Sequence, residues 1–152
     1  MGSDIVISPV SGRLKCKSVG AIVKCDGKIL MLDRRKGVFV WACPAGHVED
    51  GESTWKCIQR ELMEETGIKI YAGSCVLEAD INNACKKGAF AHQWEVHEIS
   101  VTDPTVKLME PDKHKGIGWF IPEELLALSL EPVWGAILER VGVFNYTNRD
   151  DM

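Results

Sequence analysis

Residues 46–68 read GHVEDGESTWKCIQRELMEETGI, a loop of turn-forming residues that runs into a segment with helical spacing. Ser53 or Glu52 stands where an N-cap is expected, and Gly67 stands where a chain can leave a helix through the left-handed conformation. At about 100° per residue, Trp55, Ile58 and Leu62 fall on one stripe, and Glu61, Glu64 and Glu65 gather on the adjoining arc. The stripe gives the helix a face to pack. The acidic arc needs a reason, because like charges three and four residues apart repel by roughly 0.2–0.5 kcal/mol per pair. A hard divalent cation supplies one: Mg²⁺ takes oxygen ligands at about 2.0–2.1 Å and joins protein carboxylates to substrate phosphates. A plainly solvated acidic face is the alternative reading of these three residues alone.

Upstream, SVGAIVKCDGKILMLDRR (18–35) holds two apolar runs around Asp26-Gly27, a strong hairpin signal. GVFVWACPAG (37–46) reads as a short β-rich run stopped by Pro44 and Gly46. Downstream, IKIYAGSCVLEADI (68–81), FAHQWEVHEISV (90–101) and KGIGWF (115–120) read as strands. Pro122 can open a helix over PEEL at its first turn, and Trp134, Ile137, Leu138 and Val141 recur at helical spacing within VWGAILERVG. These elements predict an α+β layered domain with a mixed sheet. One domain over 1–152 accommodates them, with residues 1–12 and the polar residues 146–152 as loose termini.

Composition bounds the function. A chain of 152 residues needs only one core, and its 45% hydrophobic and 26% charged content is that of a globular protein. The net charge of −4 argues against a dedicated nucleic-acid binder, which would present a basic face to phosphates. No stretch approaches the ~20 apolar residues of a membrane span. The opening MGSDIVISPVSGRLK lacks a basic region followed by an apolar core, so a cytoplasmic location is expected. The six cysteines are then expected to be reduced. None stands in a C-x-x-C pair, and His47, His92, His97 and His114 do not cluster with them in sequence, so inert thiols and no zinc site are expected.

Spacing adds a stronger signal. Gly46, five residues, Glu52, seven residues, Arg60-Glu61-Leu62, one residue, Glu64-Glu65, one residue, Gly67-Ile68 resembles the Nudix box at every fixed position. At average usage each fixed letter occurs at roughly one position in fifteen, so seven in register by accident is on the order of 10⁻⁸ per start. The resemblance implies a Nudix hydrolase: an α/β/α sandwich with a central mixed sheet that cleaves a nucleoside diphosphate derivative at its pyrophosphate with water and Mg²⁺ or Mn²⁺. By the same likeness, Glu61, Glu64 and Glu65 hold the metal and the carbonyl of Gly46 or its neighbour completes the shell. Arg60 and Glu52 shape the loop and orient Glu61, and Glu65 or Glu110 takes the proton of the attacking water.

Outside the box, EPDKHKGIGWFIPEEL (110–125) and PAGHVEDGE (44–52) resemble the MutT-like branch, which converts nucleoside triphosphates to monophosphates and pyrophosphate. Ala45 departs from the glycine commoner there. Of the basic pair Arg34 and Arg35, strand alternation lets one face the site, and Arg35 is the choice. Trp119 and Phe120 are candidates to stack on a base, alternation sending one to the core and the other outward. Asn82, Asn83, Ala84 and Cys85 stand where ADP-ribose-cleaving members carry proline and dinucleoside-polyphosphate members tyrosine, which ranks those substrates lower. A non-catalytic nucleotide-binding module is the remaining alternative, disfavoured because all the metal carboxylates are present. Homodimers are common among such relatives, and the expected partner is a small nucleotide.

Overall fold

The computed structural model describes residues 5–13, 16–35, 40–83 and 91–144. Within the lead-in expected to be loose, Ile7–Ser8 forms a short strand, β1. Strand β2 (Lys17–Cys25) turns into β3 (Lys28–Arg34) through Asp26 and Gly27, whose φ angles are 52° and 74°. Positive φ at both central residues matches the right-handed twist of paired strands, which is why Asp-Gly marks such hairpins.

Pro44 breaks the next run as expected, whereas Gly46 lies within a strand. Trp41–Ala42 forms β4 on β3, and Ala45–His47 forms β5 on β2, with Val19 opposite Gly46. Proline removes one donor only: it falls between the two strands, and its carbonyl still accepts from Ala21 N at 2.9 Å. Helix α1 spans Thr54–Thr66 and is followed by β6 (Ser74–Ile81), β7 (His92–Ser100) and β8 (His114–Phe120). Strand β6 thus starts six residues later than the sequence suggests. Ile68 and Ile70 are instead buried beside α1, and Gln59 Nε2 donates to the Ile70 carbonyl at 3.1 Å. Helices α2 (Pro122–Leu125) and α3 (Pro132–Arg140) follow.

The strands join in the order β1-β6-β7-β2-β3-β4, with β5 also on β2 and β8 on β3. Only the β2–β7 pairing is parallel among the described strands, from Lys17 opposite Gln93 to Lys24 opposite Ser100. The sheet is therefore mixed. Along β2 alternate residues supply two cores. Val19, Ala21 and Val23 pack with Cys57, Ile58 and Leu62 of α1, while Ile22 joins Trp94, Trp134, Ile137 and Leu138 toward α3. Full burial of each large apolar side chain contributes roughly 1.5–3 kcal/mol. With helices on both faces the architecture is an α/β/α sandwich.

Coverage on both faces also decides Trp119 and Phe120. Alternation separates them, and both are half-buried: Phe120 packs toward α3 and meets Trp41 edge-on at 5.2 Å, while Trp119 packs toward α1 and donates to Pro104 O at 2.9 Å. Among the described residues no helix is long and apolar enough to cross a membrane. Cys85 and residues 146–152 lie outside the described residues.

Candidate functional site

Helix α1 is fixed at both ends by local chemistry. The Ser53 side chain accepts from Lys56 N, and Gly67, at φ 76°, donates its N–H to Met63 O. The stretch 101–113 then crosses the end of α1: Lys107 N donates to Thr66 O at 3.0 Å, and Met109 N to Glu65 O at 3.4 Å. These bonds satisfy carbonyls that a helix end leaves without intrahelical partners. They also set Glu110 beside the acidic arc, so that its charge bears on both Glu61 and Glu65.

The Glu61 carboxyl lies against the Cα of Gly46. A Cβ at that position would stand 2.1 Å from Glu61 Cδ, so glycine is required for the close approach. Arg60 gathers the surrounding acids. Its Nε and Nη2 bind the two Glu52 oxygens at 2.7 and 3.0 Å, and its Nη1 donates to Glu61 at 3.0 Å and Glu64 at 2.8 Å. Nη2 also donates to the His47 carbonyl at 3.2 Å, tying α1 to β5. Glu52 in turn caps its own loop by accepting from Glu49 N at 3.1 Å.

Glu65 is buried at the back of the arc. One oxygen accepts from Ala45 N at 3.2 Å, and the other lies 3.7 Å from Nε2 of the buried His114. Among the described residues His114 Nδ1 has no hydrogen-bond partner, and burial lowers the imidazole's pKa. Sequence reasoning missed His114 and the Ala45 amide. His114 opens β8, 49 residues from Glu65 in the chain, and only the crossing of 101–113 over α1 brings the two together.

The electrostatics suit a hard divalent cation. Burial raises the Glu61 carboxyl to about 7; Arg60 opposes the shift, while Glu64 and Glu110 add to it. Burial and then the Glu61 charge hold Glu65 well above the ordinary carboxylate range. Arg60 already forms a fork with Glu52, so cation charge is short where carboxylate oxygens are in excess. The three oxygen-only side chains match the donor preference of Mg²⁺ or Mn²⁺. Among the described residues, Glu61, Glu64 and Glu65 are not drawn to within 4.8 Å of one another as a set, whereas Cys16, His47 and His92 are, and so are Cys75, Glu95 and His97. These cysteines and histidines stand apart in sequence, and strand pairing joins them in space.

The basic pair divides. Arg35 is exposed, donates through Nε to Pro111 O at 2.6 Å, and so stands beside the Glu110 turn. Arg34 pairs with Glu131 and is the arginine whose charge bears on Glu65 and His114. Trp119 and Phe120 lie on opposite faces of the sheet and are not gathered around one point.

Known proteins are similar to this chain in sequence and in fold. Nudix hydrolase 6 of Arabidopsis thaliana is 42% identical over 55 residues, which make up 36% of this chain and 17% of that protein. The chain therefore matches less than a fifth of that relative's length. The MutT protein of Methanosarcina mazei superposes with a TM-score of 0.65 at 23% identity, covering 90% of this chain and 94% of its own. The NUDIX domain of Shewanella oneidensis NrtR, solved with ADP ribose, gives 0.68 at 16% identity, covering 86% and 89%. At such identities the two structures establish the fold alone. A family model described as NUDIX domain matches residues 14–141. That span runs from just before β2 to just after α3, all of the sandwich but its edge strand β1, and the chain therefore belongs to the Nudix family.

Proposed function

We propose that this chain is a metal-dependent hydrolase that cleaves the pyrophosphate linkage of a nucleoside triphosphate, giving a nucleoside monophosphate and pyrophosphate. The observation that carries the reading is the set of carboxylates on α1, two of them driven upward in pKa by burial and mutual repulsion, beside a glycine that makes room for Glu61. Glu61, Glu64 and Glu65 would hold Mg²⁺ or Mn²⁺, with a backbone carbonyl at Gly46 or beside it. Such an ion, when bound, neutralises phosphate oxygens and lowers the pKa of water next to it.

The chain's own residues then position and move a proton. Arg60 fixes the Glu61 carboxylate through one nitrogen while its other two hold Glu52, so the orientation of Glu61 is set by the loop. Glu65 and Glu110 are the candidates to take the proton of the attacking water. Arg35, held by Pro111 next to Glu110, is the candidate contact for the distal phosphates. Positioning and charge stabilisation supply most of the rate, since little covalent chemistry is asked of the protein.

The test is a panel of nucleoside triphosphates, ADP-ribose and dinucleoside polyphosphates incubated with the folded chain and Mg²⁺, with the products separated by ion exchange. Pyrophosphate and monophosphate from a triphosphate support the proposal. Turnover of ADP-ribose alone would move the substrate class, and no turnover of any compound would leave a binding module.

A further inference from the structure

Strand pairing places three metal-ligating side chains on the face of the sheet turned away from α1. Cys16 immediately precedes β2 and its carbonyl accepts from Gln93 N at 2.9 Å, next to His92 at the start of β7. His47 ends β5 opposite Ser18, two residues beyond Cys16 and therefore on the same face of β2. The Cys16 sulfur and the ring nitrogens of His47 and His92 all lie within 4.8 Å of one another. Gly46 abuts Glu61 on α1, so His47, the next residue, points to the other side. The group is thus separated from the carboxylate site by the sheet itself.

Two features make this a ligand set. The Nε2 atoms of His47 and His92 are 3.3 Å apart. Two nitrogens each about 2.0–2.1 Å from a tetrahedral zinc ion stand about 3.3–3.4 Å from each other, and a thiolate at about 2.3 Å stands about 3.6 Å from either. Without a metal the same separation allows an N–H···N hydrogen bond between the two rings. The second feature is the other nitrogen of His92: Nδ1 lies 2.9 Å from the Asn83 carbonyl, which can only accept. His92 therefore carries its proton on Nδ1, and the Nε2 lone pair of the neutral ring points into the group, the carbonyl–histidine arrangement that orients metal-bound imidazoles.

We propose that Cys16, His47 and His92 bind a borderline-soft divalent transition metal, zinc in the first instance, at a site separate from the carboxylates of α1. One thiolate and two imidazoles select zinc or cobalt over magnesium, and three protein ligands leave a fourth position open. Binding would cross-link the adjacent strands β7, β2 and β5 at one end. The second group, Cys75, Glu95 and His97, is already compensated within itself: His97 Nε2 is 2.7 Å from Glu95 Oε1, which also accepts from Thr54 at 2.9 Å. It serves as an internal control.

The experiment strips the full chain of metal with a chelator, keeps it reduced, and titrates it with Co²⁺ while recording the thiolate-to-cobalt charge-transfer absorption. Expected are a band that saturates at one cobalt per chain, is displaced by Zn²⁺ but not by Mg²⁺, is lost in Cys16→Ser and persists in Cys75→Ser. The rise in thermal midpoint that zinc gives the wild-type chain should shrink in Cys16→Ser and persist in Cys75→Ser. A folded wild-type chain with no thiolate band overturns the proposal without recourse to any variant. So does a band kept in Cys16→Ser or lost only in Cys75→Ser.

Discussion

The Glu61 carboxyl occupies the space that a side chain at residue 46 would fill, 2.1 Å from the position of its Cβ. The colliding atoms are the far end of a flexible side chain, so Gly46→Ala should fold and resolve the clash by turning Glu61 away. Turnover is expected to fall at least ~100-fold, the scale on which a misplaced reacting group costs rate. The thermal midpoint should move by only a few degrees. Steady-state kinetics beside a melting curve checks this, and wild-type turnover in Gly46→Ala would remove Glu61 from the site.

Arg60 holds Glu52 through a two-nitrogen fork while reaching Glu61 and Glu64 with the third nitrogen. Lysine has one nitrogen and no fork, so Arg60→Lys cannot orient Glu61 and anchor the 49–52 loop together. The expected result is a Mg²⁺ dependence shifted ~10–100-fold to higher concentration, with kcat at saturating Mg²⁺ much less affected. An unchanged Mg²⁺ titration would show that the fork has no part in presenting Glu61.

What the sequence made legible is what is local. The Asp26-Gly27 hairpin, the Ser53 cap, the Gly67 exit and the stripe of Ile58 and Leu62 all express rules that act within a few residues. The three glutamates were visible for the same reason, being one turn apart. Contacts that cross between elements were not. His114 meets Glu65 only because 107 and 109 bond to the end of α1, and Cys16, His47 and His92 meet only through the register of three strands. Alternation puts Trp119 and Phe120 on opposite faces as the sequence predicts, and both are half-buried rather than one inside and one outside, because helices cover the sheet on both sides.

The packing toward α3 offers a stability test remote from the carboxylates. A Cβ at Gly20 would lie 2.5 and 2.6 Å from ring atoms of Trp134, itself fully buried and edge-on to Trp94 at 5.7 Å. The ring has no room to retreat, so Gly20→Ala should destabilise by about 1–3 kcal/mol through overpacking. Activity per folded molecule at low temperature should stay near wild type. Chemical denaturation measures the first quantity, and an unshifted midpoint would mean that the Trp134 contact is looser than drawn.

The carboxylates also set opposite pH dependences in separate windows. Glu52, hydrogen-bonded by Arg60, is lowered to about 2 from 4.5. Its contribution is present above 4.5 and is lost as pH falls toward 2, because the unfolded chain then takes up its proton first. Glu61 runs the other way: raised from 4.5 to about 7, it keeps its proton in the folded chain after the unfolded chain has released it. Metal-free stability should therefore decline as pH rises from 4.5 to about 7 and flatten above, by up to roughly 3 kcal/mol for Glu61 at 1.36 kcal/mol per unit. Glu65, raised in the same direction, steepens the decline. Mg²⁺ binds the ionised forms, so its stabilising effect should be small near pH 5 and grow through pH 7. Glu65→Gln should raise the metal-free midpoint at pH 8, shrink the Mg²⁺ increment and abolish most turnover. Melting curves across pH, with and without Mg²⁺, decide the matter. A wild-type chain whose Mg²⁺ increment is the same at pH 5 and pH 8 would place the cation away from these carboxylates.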